Sequence, residues 1–504
     1  MNREQLSDAI GRLDESILEE AMTVRRRRPW WYAAVAVAAC LCLAVGMVAA
    51  WPQLKPQDVT PSLNGDTHST NGGTTTVPTT RPHHEQPDLA ISFALAKAQY
   101  PQMAQRVDYF TDEDGYYTWS DALWAQRKQA QGHTDGMTDY YQKTMAQFLS
   151  GEAGENRVYS PLNVYLALAM LAETAEGDSR QQILDLLGVS DLTALREKCN
   201  GLWNGVYLDD GAVTSLLANS LWLAEGDRWH YDMDKVKALA EHYYASTFEG
   251  EMGSAAYDAA LQDWINEQTD NLLTEQADGL EFDPNTVLAL ASTICFRAKW
   301  QDEFWADYNR EGVFKTVNGD VPVTYMTQSP MMYAYFGDRF TAVSKDLDDG
   351  AYKMTFFLPN EGVAVDDLVT DRQVLALMQG NDSAVASKFL KVNMSIPKFD
   401  VVADKDLADG LKKLGVTDVF DSAKGNFGGI LTEQTVPVWV DKVQHAARVA
   451  IDEEGVTAAA YTVMQLCGSP MPQEEMDFTL DRPFVFAITG PENTILFTGV
   501  VENP

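Results

Sequence analysis

Between Trp30 and Trp51 the chain runs for 22 residues without a charged side chain, directly after four arginines, Arg25 to Arg28. As a helix this run would be roughly 33 Å long, enough to cross a hydrocarbon core. Trp30, Trp31, Tyr32 and Trp51 stand at its two ends, where amphipathic rings prefer the headgroup level. The arginines should stay on the cytoplasmic side, which sets everything after the run outside. We therefore expect a cytoplasmic leader over 1–28 and a single transmembrane helix over 29–51. Leu6, Ile10, Leu13, Ile17 and Leu18 give the leader an amphipathic helical spacing. Two processing sites compete with a retained anchor. Val48-Ala49-Ala50 could end a cleaved signal segment, and Val37-Ala38-Ala39-Cys40 weakly matches a lipoprotein site. The long charged leader and the apolar residues that continue past Cys40 favour the anchor.

Residues 52–88 are rich in Thr, Pro, Ser, Gly and Asn and hold too few apolar side chains to bury a core, so they read as a linker. As a coil it would span about 35 Å. His83-His84-Glu85 lies within it, and adjacent histidines in such a segment read as solvated rather than metal-bound. From 89 to 135 follows an aromatic, acidic extension, expected to pack on the body after it. Its Asp112-Glu113-Asp114-Gly115 cluster lacks the alternating oxygen ligands of a calcium loop and reads as a turn.

Charge narrows the partners. Lys and Arg number 38 against 73 Asp and Glu, a net charge of -35. The first 28 residues hold six of each sign, so the remainder carries the whole excess. Such a surface repels phosphate backbones, and neither nucleic acid nor a heparin-like polyanion is an expected partner. Cys40 and Cys42 sit in the apolar run; Cys199, Cys295 and Cys467 are too scattered for a disulfide framework or a zinc site, although one bridge remains open.

Residues 136–504 mix helix and strand patterns without regular alternation, the mark of an α+β domain. Val164–Leu171 and Gln181–Leu187 read as helices, the second stopped by Gly188. Ala291–Trp300, Tyr352–Leu358, Phe389–Ile396, Val436–Val440, Phe484–Ile488 and Ile495–Val500 read as strands. There is no G-x-S-x-G elbow, H-E-x-x-H, phosphate loop or dinucleotide fingerprint, so the sequence offers no enzyme signature, no metal site and no cofactor.

The final hundred residues are the most specific. DRPFVFAITGPENTILFTGVVENP (481–504) closely resembles the terminal signature of the serpin family, and IDEEGVTAAAYTV (451–463) resembles the serpin hinge. RVYSPLNVYLALAMLAETAEGDSRQQILDLLG (157–188), ANSLWL, FRAKWQDEF, FFLPNEG, IPKF and LKKLGVTDVF follow the family's order. The resemblance covers 136–504, here in a bacterial-type arrangement with an N-terminal anchor. It implies a serpin fold of three β-sheets and about eight or nine helices, with an exposed reactive-centre loop. It also implies a monomeric suicide-substrate inhibitor that traps a serine protease as a covalent acyl complex, needs no cofactor and is no enzyme. A non-inhibitory serpin serving as a surface binding module is the alternative.

The hinge Glu453, Glu454, Gly455, Val456, Thr457, Ala458, Ala459 and Ala460 also makes physical sense. A loop that enters a packed sheet needs alternate side chains that the interior accepts. Val456, Ala458, Ala460 and Thr462 would share the inward face, all uncharged. Gly455 is expected as a pivot, and no proline interrupts the segment before Ser469. Val456 departs from the family, whose inhibitory members more often carry Thr or Ser there. Two ways of counting put the reactive bond within Cys467, Gly468, Ser469, Pro470, Met471 and Pro472. That segment holds no Lys or Arg, which suits elastase-, subtilisin- or chymotrypsin-like proteases. Cys467 would be an exposed thiol or merely a small loop residue. By the resemblance, Ser160, Asn163, Ser292 and His445 form the polar shutter beneath the central sheet. Asn163 and Ser292 exchange the residue types usual in the family, and Trp300 stands where the loop enters.

Overall fold

The helix Pro161–Thr174 is buried on nearly every side, as expected where apolar residues surround a helix completely. Ser160 caps it, accepting from the Asn163 N–H, and Pro161 fills the first helical position, whose N–H would be orphaned anyway. This helix packs against Leu288–Lys299 of one sheet and Ile495–Val501 of the other, and so forms the centre of the core. The computed structural model describes residues 88–504 apart from 99, 102, 104, 349, 441 and 457–473. The expected anchor over 29–51 lies outside the described residues, among which no helix is long and apolar enough to cross a membrane.

The first sheet runs in the order Ala94–Ala96, Ala245–Gly250, Val213–Ala224, Leu288–Lys299, Gly455–Val456, Gln444–Ile451 and Phe399–Asp406, with Leu208–Asp209 beside Val213–Ala224. Its longest ladder is antiparallel, from Val213 opposite Ala298 to Leu223 opposite Leu288. The second runs in the order Arg157–Tyr159, Ile495–Val501, Phe484–Thr489, Tyr352–Pro359, Phe340–Leu347, Met331–Phe336, Ala386–Pro397, Gly319–Gln328 and Arg310–Thr316. Glu475–Thr479 pairs in parallel with Ala386–Pro397. The expected α+β class holds, but the strands among the described residues form two sheets rather than three. Met331–Phe336 pairs with both Phe340–Leu347 and Ala386–Pro397, which joins two sheets into one. Twelve α-helical segments occur among the described residues; nine have six residues or more, one of them in the extension.

The extension packs on the body. Ala94–Ala96 adds a strand to the edge of the first sheet beside Ala245–Gly250, and the Glu249 N–H donates to Phe93 O at 2.9 Å. Tyr100 stacks on Trp203 and Tyr207. The helix Glu113–Arg127 lies against Leu192–Val206, where Gln126 Nε2 donates to Asn204 O at 3.1 Å. A Cβ on Gly205 would strike Ala130, so that glycine is there for close approach.

Two local expectations also fail. The Asp112 to Gly115 cluster is a helix start rather than a turn: Asp112 Oδ1 accepts from the Gly115 N–H, with Glu113 and Asp114 in the first turn. Val436–Val440 is not a strand. Pro437 has no N–H for a ladder. The segment is fixed instead by the buried Val438 and by the Val440 N–H, which donates to Val419 O.

Candidate functional site

The strand Gln444–Ile451 ends in a tight turn built on Asp452. Its Oδ1 accepts from the N–H groups of Glu454 (2.9 Å) and Gly455 (3.1 Å), and its own N–H donates to Gly455 O at 3.0 Å. Gly455–Val456 then re-enters the first sheet as a short strand between two long ones. Gly455 pairs with Lys299 and Val456 with Ala298 on one side, while Val456 pairs with Ile451 on the other. Among the described residues no ladder joins Leu288–Lys299 directly to Gln444–Ile451. Val456 is buried at 2% exposure, in keeping with an inward face.

Gly455 was expected as a pivot, but it is absent from the glycines with positive φ. Its reason is space: a Cβ there would strike the Ala298 carbonyl oxygen and crowd Lys299 Cα. Trp300 holds the turn from below. Its backbone N–H donates to Glu454 O and its indole Nε1–H to Asp452 O, both at 2.9 Å. The Phe304 N–H donates to Glu453 O at 2.9 Å. The Glu453 carboxylate meets Lys398 Nζ at 2.6 Å and accepts from Asn309 Nδ2. Burial works to raise this carboxyl, but Lys398 and Asn309 outweigh it and hold it below its ordinary range.

Beneath Trp300 lies a residue that sequence reasoning missed. Lys345 is 6% exposed; its Nζ sits 5.5 Å from the Trp300 ring centre and 4.6 Å from that of Phe304. It donates to Gln328 Oε1 at 2.7 Å and to Asp302 O. Burial pushes the ammonium down to about 8, with Asp302 and Asp346 opposing. The available signal was alternation: Val343, Lys345 and Leu347 share the buried face of their strand.

Further down the same sheet the expected shutter residues come together. His445 Nε2 accepts from the Ser160 N–H at 3.1 Å, which fixes the neutral ring with its proton on Nδ1. Asn163 Nδ2 donates to Ser292 O at 2.9 Å. The Ser292 hydroxyl sits between Asn163 Oδ1 and Asn219 Oδ1 with one proton to share between them. Asn219 Nδ2 donates to Tyr243 O at 2.7 Å. Asn219, directly opposite Ser292 in the ladder, is a second member of the site that the sequence does not single out. Its signal was a polar side chain at a buried position of ANSLWL. His445 is pushed down to about 4 by burial, with the Tyr159 ring 6.5 Å away.

Thr457, Ala458, Ala459, Ala460 and the bond region Cys467, Gly468, Ser469, Pro470, Met471 and Pro472 lie outside the described residues. Cys199 and Cys295 are both buried. No group of His, Cys, Asp or Glu among the described residues could hold a metal ion.

The family model described as Serpin (serine protease inhibitor) matches residues 136–504. Serpin-ZX of Arabidopsis thaliana is 26% identical over 371 residues, covering 69% of this chain and 92% of that protein. Serpin B8 of Homo sapiens is 28% identical over 359 residues, covering 69% and 93%. Among solved structures, the thermophilic serpin tengpin in its native state aligns with a TM-score of 0.66 at 21% identity, over 82% of this chain and 100% of that chain. At that identity the likeness is one of fold.

Proposed function

The chain belongs to the serpin family of serine protease inhibitors, and from that premise we propose a membrane-anchored suicide-substrate inhibitor of extracellular serine proteases. Serpins are protease inhibitors rather than enzymes, in keeping with the names of its relatives, and the family implies inhibition by the serpin mechanism. The observation that carries the finer reading is Gly455–Val456, already paired on both sides between the long central strands. The hinge thus occupies the first rung of the ladder that insertion must extend.

The protease serine attacks a carbonyl within 467–472. The peptide bond breaks, the new amine leaves with the C-terminal part of the loop, and an ester joins the protease to the N-terminal part. The freed strand inserts, releasing strain held in the fold, and distorts the protease before water can cleave the ester. Continued in the two registers present, residue 462 would stand opposite Ser292 on one side and His445 on the other. Both of these point at the cap of Pro161–Thr174, so an uncharged Thr462 would meet a polar seam rather than an apolar wall. The uncharged inward face makes insertion feasible, because a buried unpaired charge would oppose it.

The absence of Lys and Arg from 467–472 favours elastase-, subtilisin- or chymotrypsin-like targets. The anchor over 29–51 and the linker would present a monomeric inhibitor at the outer surface. Val456 favours the second reading, a non-inhibitory surface binding module. Incubation with a panel of these proteases decides between them: a complex that survives denaturing electrophoresis is expected, and clean loop cleavage with no complex for any protease rejects the inhibitor.

A further inference from the structure

Where the loop rejoins the body, two large aromatic side chains stand exposed together on the outer face of the second sheet. Phe389 and Tyr333 stand directly opposite each other in the ladder between Ala386–Pro397 and Met331–Phe336. Their ring centres are 5.2 Å apart, and they are 49% and 54% exposed. The alternate residues Leu390, Val392 and Ala334 face inward and are buried. On the Glu474 side the outward positions of Ala386–Pro397 are polar and satisfied, with the half-buried Met331 opposite Lys391: Lys391 pairs with Glu475 at 3.2 Å, and Asn393 Nδ2 donates to Asp477 Oδ1 at 2.9 Å. Lys388 pairs with Glu474. In a chain of net charge -35, a cross-strand aromatic pair left bare among neutralised charges is an exposed apolar patch with a polar rim.

Its place identifies the occupant. Glu474 is the first described residue after the loop, and the Lys391 N–H donates to its carbonyl at 3.2 Å. Phe389 is two residues from Lys391, about 7 Å along the strand. The bonds within Cys467–Pro472 lie two to seven residues before Glu474, a tether of at most ~25 Å. A protease domain of about 250 residues has a radius of gyration near 18 Å. A body of that size held by the loop lies within reach of the face that carries the pair.

We propose that Tyr333 and Phe389 form a docking patch for the serine protease engaged on the loop, contacting its surface outside its catalytic cleft. The proposal rests on the inhibitor reading above. The patch stabilises the encounter complex and so sets the rate of inhibition, while the fate of the acyl-enzyme is left to the hinge. A patch of small area and aromatic character suits such a role, since a few aromatic anchors carry most of the binding energy at protein interfaces.

The test compares the full-length protein with the double variant Tyr333→Ser, Phe389→Ser and with Phe389→Arg, whose outward charge leaves the buried face untouched. Two readouts are taken with the subtilisin- or elastase-type protease that the wild type traps. One is the second-order rate of complex formation together with its stoichiometry. The other is equilibrium binding to the same protease with its catalytic serine replaced by alanine. Both variants should lose about tenfold in rate and in affinity, with stoichiometry unchanged. Phe110→Ala, an aromatic 92% exposed in the extension, should change neither. Unaltered rate and affinity in both variants overturn the docking patch and leave the inhibitor reading standing. A wild type that traps no protease overturns both. A wild-type dimer dissolved by the double variant would assign the patch to a second copy of the chain and overturn the proposal.

Discussion

Acidification should loosen the seam beneath the central sheet through one residue, His445. In the folded chain burial pushes its imidazole down to about 4, against 6.5 for the free side chain. Its Nε2 is already engaged by the Ser160 N–H, so a proton there must break that bond. Because the folded value is the lower one, the unfolded chain binds the proton first. The contribution is complete above pH 6.5, falls as pH drops from 6.5 toward 4, and is constant below. Each pH step across that window is worth about 1.4 kcal/mol, so roughly 3 kcal/mol is lost in all. At about 2 cal/mol/K per residue over the family domain, that lowers the melting midpoint by about 4 °C. Many carboxylates titrate in the same range, so the assay is the difference between wild type and His445→Gln. Glutamine offers Ser160 an amide oxygen but no titration. Tryptophan fluorescence melts from pH 7.5 to 4.5 should show the gap between the two proteins closing by a few degrees. Parallel curves across that range would refute the assignment of a buried neutral histidine.

The remaining predictions concern the moving parts. Asn163→Ala removes the donor to Ser292 O and one of the two amide oxygens at the Ser292 hydroxyl. At 1–3 kcal/mol for such a loss, spontaneous conversion to the loop-inserted form should speed up by about tenfold, followed by native gels over time; an unchanged rate argues against the seam as a lock. Gly455→Ala places a methyl on the Ala298 carbonyl, which should displace the hinge and raise the number of inhibitor molecules consumed per protease trapped. Ala458→Arg would put a charge on the face that the inserting strand is expected to turn inward, and a buried unpaired charge costs several kcal/mol; this variant should be cleaved as a substrate with almost no complex on denaturing gels.

Much of this was legible because the relevant signals are local or ordered along the chain. The helix Pro161–Thr174 shows its Ser-Pro start and apolar body, and Gly188 ends the helix Gly177–Leu187 with φ 68°, as its position suggested. Motif order singles out Ser160, Asn163, Ser292, Trp300 and His445, and the fold brings them to two ends of one seam. What the sequence hid depends on which backbone lies alongside. Gly455 looks like a hinge residue, yet its requirement comes from Ala298, 157 positions earlier. Lys345 looks like an ordinary strand lysine until Trp300 and Phe304 close over it. The apolar Val436–Val440 stretch imitates a strand, but Pro437 cannot supply the ladder. Joining of the sheets through Met331–Phe336 is a matter of long-range pairing, which periodicity does not report.

On the inhibitor reading, the chain after Val456 enters the first sheet as a strand once the loop is cut. Cutting the loop once with an elastase- or subtilisin-type protease, then melting intact and cut protein side by side, tests it most directly. Insertion should leave the cut protein melting far above the intact one, because the new strand completes the ladder begun at Val456. A cut protein that melts at the same temperature as the intact one would contradict insertion, and the chain would then be a binding module with the serpin fold.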